Sequence, residues 1–165
     1  MGEPQLTMDF RAESELADFA GVFGRRIRAL GPQSLLLGLA GDLGAGKTTW
    51  ARGLLRGLGH LGRVPSPTYT LLEPYLLDGL TVVHLDLYRL GDERELENLG
   101  IRDWLAAPAT WVLVEWPERA PDLAARCDIL LTLLDSGATA RQIAFEARTA
   151  MGIAALRAGC QSDSK

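Results

Sequence analysis

Apolar residues recur at helical spacing early in the chain: Leu16, Phe19, Ala20, Phe23, Ile27 and Leu30 fall on one stripe, and Gly31-Pro32 ends it. The spacing predicts an amphipathic helix over residues 13–30, with a short strand before it at residues 5–9. The period then changes. Ser34-Leu-Leu-Leu-Gly-Leu-Ala40 is a short unbroken apolar run, as expected of a strand buried on both faces of a parallel sheet. Beyond a glycine-rich turn, residues 47–58 read as helix, with Trp50, Leu54, Leu55 and Leu58 facing the sheet and Gly59 placed to stop it.

Residues 68–76 and 80–86 are strand-like runs around Asp78-Gly79, a dipeptide suited to a type I′ hairpin turn whose two central residues both take positive φ. Residues 92–99 predict a short helix closed by Gly100, and residues 110–115 another buried strand ending on an acid. A second hairpin is expected from residues 128–134 and 141–148 across Asp135-Ser-Gly137, followed by a short helix at 149–156. No internal repeat, low-complexity tract or linker interrupts the pattern, so we expect one domain over residues 1–158 and a frayed tail at 159–165.

The charge balance narrows the function. With 17 Lys+Arg against 21 Asp+Glu the net charge is -4, so the chain lacks the overall positive field of sequence-independent nucleic-acid binders, and any work on RNA is expected to run through a partner. Cys127 and Cys160 form neither a disulfide framework nor a metal-ligand spacing, which fits a reducing, cytoplasmic setting. The first residues, MGEPQLTMDFRAESE, carry acids where a signal peptide carries bases and lack an apolar h-region, so they read as mature protein. A myristoylation reading of Gly2 fails because Leu6 stands where Ser or Thr is required. The longest apolar runs, residues 35–40 and 111–114, fall far short of the ~18 residues of a membrane span, so a soluble protein is expected.

Chemistry enters at the end of the first buried run. Gly41-Asp-Leu-Gly-Ala-Gly46-Lys47-Thr48 matches G-x-x-x-x-G-K-[ST] in full and lies between a predicted strand and a predicted helix. Glycines at 41, 44 and 46 let successive N–H groups converge on phosphate oxygens at the helix N-terminus; Lys47 would reach the β- and γ-phosphates, and Thr48 would ligate Mg²⁺. Such a site also wants an acid at a neighbouring strand end, and the chain offers Asp86 and Glu115. One could hold the metal while the other orients or deprotonates the attacking water; spacing alone does not divide the labour, and strand-end solvation is the bland alternative for each. Val64-Pro-Ser66-Pro-Thr68-Tyr69-Thr70 combines two prolines with hydroxyls, suiting either a phosphate-sensing loop or a strand start rich in β-formers. His84 alternates with Asp86 on one strand face, where it could assist that acid or serve as a core histidine. Arg89, Arg94 and Arg119 are possible phosphate clamps or partner contacts, or plain solvated surface.

Five segments in this order, Gly41-Asp-Leu-Gly-Ala-Gly-Lys-Thr-Thr49, Ser66-Pro-Thr-Tyr-Thr-Leu71, His84-Leu-Asp-Leu-Tyr-Arg89, Glu97-Asn-Leu-Gly-Ile-Arg102-Asp103 and Val114-Glu-Trp-Pro117, resemble the TsaE (YjeE) family. These are bacterial P-loop ATPases of tRNA threonylcarbamoyladenosine biosynthesis. The resemblance spans roughly residues 13–134 and implies an α/β, three-layer αβα P-loop NTPase fold with a mixed, largely parallel central sheet and β-hairpins. It also implies ATP and Mg²⁺ as ligands and slow hydrolysis in concert with TsaB and TsaD, which would carry most tRNA contact. The product would be a threonylcarbamoyl group on the adenosine next to the anticodon in tRNAs reading codons that start with A.

By this resemblance Gly41, Gly44, Ala45, Gly46, Lys47, Thr48 and Thr49 bind the nucleotide phosphates, and Thr48 and Glu115 ligate Mg²⁺. Asp86 is the water-activating or metal-organising acid, with Lys47 beside it in the catalytic set. Ser66, Thr68, Tyr69 and Thr70 form a switch-like loop, Trp116 couples the site to the adjoining surface, and Glu13 falls in a nucleotide-contacting segment. After Leu134 the chain departs from the family pattern.

Two other functions share these motifs. A small-molecule or nucleotide kinase would need an arginine-bearing lid, and no arginine-rich segment follows the P-loop helix. A nucleotide-gated interaction module would use occupancy rather than turnover. A GTPase fits poorly, because the only asparagine, Asn98, is followed by Leu99 and cannot begin an N-K-x-D signature.

Overall fold

The structure is a computed structural model and describes residues 5–162. Among these residues seven strands form one sheet: β1 (Gln5–Phe10), β2 (Leu35–Ala40), β3 (Leu72–Leu77), β4 (Leu80–Asp86), β5 (Thr110–Glu115), β6 (Ile129–Asp135) and β7 (Arg141–Ala147), in the spatial order β1-β7-β6-β2-β5-β4-β3. The four central strands β6, β2, β5 and β4 run parallel. The outer strands β3, β7 and β1 are added antiparallel through hairpins and a long return. The helices are α1 (Glu13–Arg28), α2 (Lys47–Gly57), α3 (Glu95–Asn98), α4 (Ile101–Ala106), α5 (Pro121–Ala124) and α6 (Ala150–Gly159).

Alternation along the central strands explains the layers. Leu35, Leu37 and Leu39 of β2, with Trp111 and Leu113 of β5, pack under α1, α2 and α6; Leu36 and, from the neighbouring strands, Val83, Leu85, Val112 and Val114 pack under α3, α4 and α5. Both faces are covered, so the parallel strands read as unbroken apolar runs. Beneath α1 and α2, the rings of Phe19, Phe23, Trp50 and Phe145 lie with centroids 5.3–6.2 Å apart. The mixed, centrally parallel αβα architecture expected from the sequence is the one observed.

Several local expectations change. Strand β3 begins at Leu72 rather than residue 68, because residues 67–71 close a turn in which Leu71 N–H donates to the Pro67 carbonyl at 2.8 Å and Leu71 adopts φ 64°. In the β3–β4 hairpin only Gly79 takes positive φ, so the two-residue connection is not type I′. The helix expected over residues 92–99 shrinks to α3, and Gly100, left-handed at φ 70°, opens the unanticipated helix α4 as well as ending α3. A 3₁₀ turn (Pro117–Arg119) and α5 were likewise not read from the pattern. Helix α6 continues through Gly159, and residues 163–165 of the expected tail, like residues 1–4, lie outside those described. No helix among the described residues is long and apolar enough to cross a membrane.

Candidate functional site

The carboxyl ends of β2, β4 and β5 open on one cavity of about 270 Å³. Sheet register builds its floor: β4 and β5 are parallel with Asp86 opposite Glu115, so the two acids finish their strands side by side. Between β2 and α2 the chain must turn sharply, and Gly46 does so at φ 110°, where a β-carbon would also lie 2.8 Å from Leu16 Cδ2. Helix α2 starts there with no side-chain cap and no acid in its first turn, leaving its first N–H groups and positive dipole end facing the cavity.

Lys47 is only 5% exposed. Its Nζ donates to the carbonyls of Gly41 (2.5 Å) and Asp42 (2.8 Å) and lies 4.1 Å from the centre of the Trp116 ring. Burial lowers its pKa below the usual lysine range, opposed by the charges of Glu115, Glu118, Asp86 and Asp42. The Thr48 hydroxyl donates to Glu115, with Oε1 at 3.0 Å and Oε2 at 3.3 Å. Asp86 is held from two sides: the Tyr88 N–H donates to Oδ1 at 3.0 Å, and the hydroxyls of Thr68 and Ser66 reach Oδ2 at 3.0 and 3.4 Å. The loop that carries those hydroxyls is thus latched to the acid.

Most of the residues singled out in the sequence meet here. Gly44, Gly46, Lys47, Thr48 and Thr49 line the cavity, as do Asp86 and Glu115 from the strands, Ser66 and Thr68 from the loop, and Trp116 and Glu13 from the rim. Four do not. Gly41 turns its carbonyl to Lys47; Ala45 is buried, its N–H donating to Asp42 O; Tyr69 and Thr70 point to solvent, with Arg89 stacked 4.6 Å over the Tyr69 ring. Arg119 lies 5.8 Å over the ring of Tyr88, itself a lining residue, whereas Arg94 pairs with Asp92 at 2.7 Å and lines a different cavity.

His84 departs from expectation. Its Nε2 meets Glu115 Oε2 at 2.6 Å rather than Asp86, because the neighbouring parallel strand brings Glu115 across. Sequence reading also missed Tyr88, whose ring packs 5.0 Å from Trp116 and lines the cavity. An aromatic two residues beyond a strand-end acid was the available signal. Trp116 itself takes φ 60°, a left-handed strain on a bulky residue that aims its ring over Lys47. From β7, the 8%-exposed Arg141 backs the P-loop, its Nη2 donating to Gly44 O at 3.3 Å.

Comparison with known proteins places the chain. The family model "Threonylcarbamoyl adenosine biosynthesis protein TsaE" matches residues 11–143. The tRNA threonylcarbamoyladenosine biosynthesis protein TsaE of Haemophilus influenzae is 46% identical over 120 residues, 73% of this chain and 75% of that one. Its namesake from Nostoc sp. is 37% identical over 145 residues, 84% and 89% of the two chains. The TsaE of Bacillus subtilis is 36% identical over 112 residues, 68% and 69% respectively. The crystal structure of YdiB from Bacillus subtilis superposes with a TM-score of 0.75 over 95% of both chains at 24% identity, which speaks for the fold. A P-loop closed by two strand-end acids, on a chain that matches the family model through both acids, belongs to the TsaE family of threonylcarbamoyl adenosine biosynthesis proteins.

Proposed function

We propose that this chain is a slow Mg²⁺-dependent ATPase that supports threonylcarbamoylation of the adenosine next to the anticodon in tRNAs reading codons that start with A, working with TsaB and TsaD in the cytoplasm. The observation that carries this reading is the Thr48 hydroxyl bonded to Glu115 beside Asp86, at the mouth of an uncapped P-loop helix. The donor set suits a hard cation: a threonine hydroxyl and two carboxylates offer only oxygen. Thr48 and Glu115 would hold Mg²⁺, which when bound withdraws charge from the β- and γ-phosphate oxygens.

The rest is the work of the chain. N–H groups at the start of α2 and the Lys47 ammonium receive the triphosphate, the lysine exchanging the carbonyls of Gly41 and Asp42 for phosphate oxygens. Asp86 orients the attacking water and accepts its proton. Its hydroxyl latch to Ser66 and Thr68 ties that acid to a surface loop, so occupancy of the site can be passed to a partner. In keeping with the net charge of -4, tRNA is contacted mainly through the partners.

Asp86→Ala tests the division of labour. It is expected to bind ATP and to lose both hydrolysis and support of tRNA modification. A variant that retained modification would reduce turnover to a dispensable step and leave a nucleotide-gated module; phosphate transfer to a small acceptor would turn the reading into a kinase.

A further inference from the structure

We infer that His84 is a positioning residue for the metal-binding acid: its Nε2–H holds Oε2 of Glu115 and so leaves Oε1 turned toward Thr48 and the cavity. The inference rests on the reading of Thr48 and Glu115 as the Mg²⁺ ligands. His84 is wholly buried on β4 and Glu115 is 2% exposed at the end of β5, and they meet at 2.6 Å, a length typical of charge-assisted bonds.

The remaining ring nitrogen, Nδ1, is buried without a hydrogen-bond partner among the described residues. Of the two neutral tautomers, only one suits the contact with Glu115. On Nε2 it satisfies the carboxylate and leaves Nδ1 an unfilled acceptor; on Nδ1 it would strand a buried donor and put two lone pairs face to face. Glu115 therefore has one oxygen pinned by the ring, while the Thr48 hydroxyl sits closer to the other, 3.0 Å from Oε1 against 3.3 Å from Oε2.

The terminal torsion of a glutamate is soft, and without the imidazole the carboxylate plane is free to turn. Mg²⁺ tolerates little departure from octahedral geometry, so a loosened ligand costs metal affinity rather than phosphate affinity. A histidine that merely filled space in the core would affect both alike.

The test is the affinity of a fluorescent ADP analogue measured in EDTA and again in excess Mg²⁺. For His84→Leu we expect the EDTA value to stay within about twofold of wild type and the Mg²⁺-dependent gain to fall about 10- to 100-fold, the usual cost of losing a ligand's supporting bond. His84→Gln, whose amide nitrogen stands near the lost Nε2, should recover most of that gain. His84→Asn, whose shorter amide does not reach Glu115, should not, and it preserves the comparison if the leucine variant fails to fold. In a Glu115→Gln background, His84→Leu should add no further loss.

The chain has two histidines, His60 and His84, so long-range ¹H–¹⁵N correlation of the free protein reads the tautomer directly, with the His84 proton expected on Nε2. Equal losses in EDTA and Mg²⁺, an unchanged Mg²⁺ response, or a proton on Nδ1 would overturn the inference alone. Absence of any Mg²⁺-dependent gain in the wild type would instead overturn the underlying metal reading and this inference with it.

Discussion

Lys47 illustrates how single side chains set the chemistry. Its ammonium is buried against two carbonyls and the Trp116 ring, and burial holds its pKa below the ordinary lysine value. A charge kept this dry is only partly satisfied by neutral carbonyls, so a phosphate should outbid them. A charge-assisted bond contributes about 1.5–3 kcal/mol, so Lys47→Ala should weaken ATP binding about 10- to 100-fold, read by titration calorimetry, with the fold intact by circular dichroism. Unchanged affinity would mean that the lysine does not meet the phosphates.

Cys127 shows the same effect on an acid. Burial pushes its thiol from 9.0 up to about 11, so the folded state keeps a proton that the unfolded chain releases. Stability from this group is complete below pH 9 and is lost as pH rises toward 11, by at most about 3 kcal/mol. Urea midpoints taken across that window should fall more steeply for wild type than for Cys127→Ala; parallel slopes would contradict the assignment. Lys47, with its lowered pKa, acts in the opposite sense: the folded state binds fewer protons, so its unfavourable contribution fades as pH rises from its folded value to 10.5.

At the scale of elements, the site depends on how closely α2 lies on α1. A β-carbon on Gly53 would sit 2.3 Å from the Ala17 carbonyl oxygen, and one on Gly57 would sit 2.3 Å from Gly21 Cα. Both obstacles are backbone, which cannot rotate aside. Alanine is the better helix former by about 1 kcal/mol, yet Gly53→Ala should destabilise by about 3 kcal/mol because the helices must separate. Thermal unfolding would register the loss, and an unchanged or raised Tm would contradict the packing. Because α2 begins at Lys47 and α1 at Glu13, the same shift would disturb both sides of the cavity.

Elements with a clean period were legible in the sequence: α1, α2 and the buried runs β2 and β5 lie within a few residues of their predicted spans. What escaped was set by contacts across the sheet or by local backbone strain. The spacing of His84 to Asp86 gave no hint of Glu115, which only the parallel register of β4 and β5 brings alongside. The turn at residues 67–71 was hidden because Thr68, Tyr69 and Thr70 are good strand formers, and its left-handed Leu71 is an unusual choice for positive φ. Helix α4 was missed because its six residues bury only Ile101 fully, too short for a period. The turn between β2 and α2, by contrast, was legible because its residues are consecutive, and Gly44, Gly46, Lys47, Thr48 and Thr49 do line the cavity while Gly41 and Ala45 stay out of it.

At the scale of the molecule, an acidic chain sets a buried lysine in one cavity and ties an acid of that cavity to a surface loop through Ser66 and Thr68. Exposed Tyr69, with Arg89 stacked on it, stands on that same loop, so closing or releasing the latch alters a surface as well as a site. This arrangement suits an ATPase whose turnover resets a complex. Hydrolysis of ATP by the purified chain with Mg²⁺, alone and then with TsaB, TsaD and tRNA, measures that coupling. Slow turnover alone, stimulation by the two proteins, and repeated rounds of tRNA modification that Asp86→Ala abolishes are the expected results. Turnover indifferent to both proteins, with phosphate passed instead to a small acceptor, would contradict them.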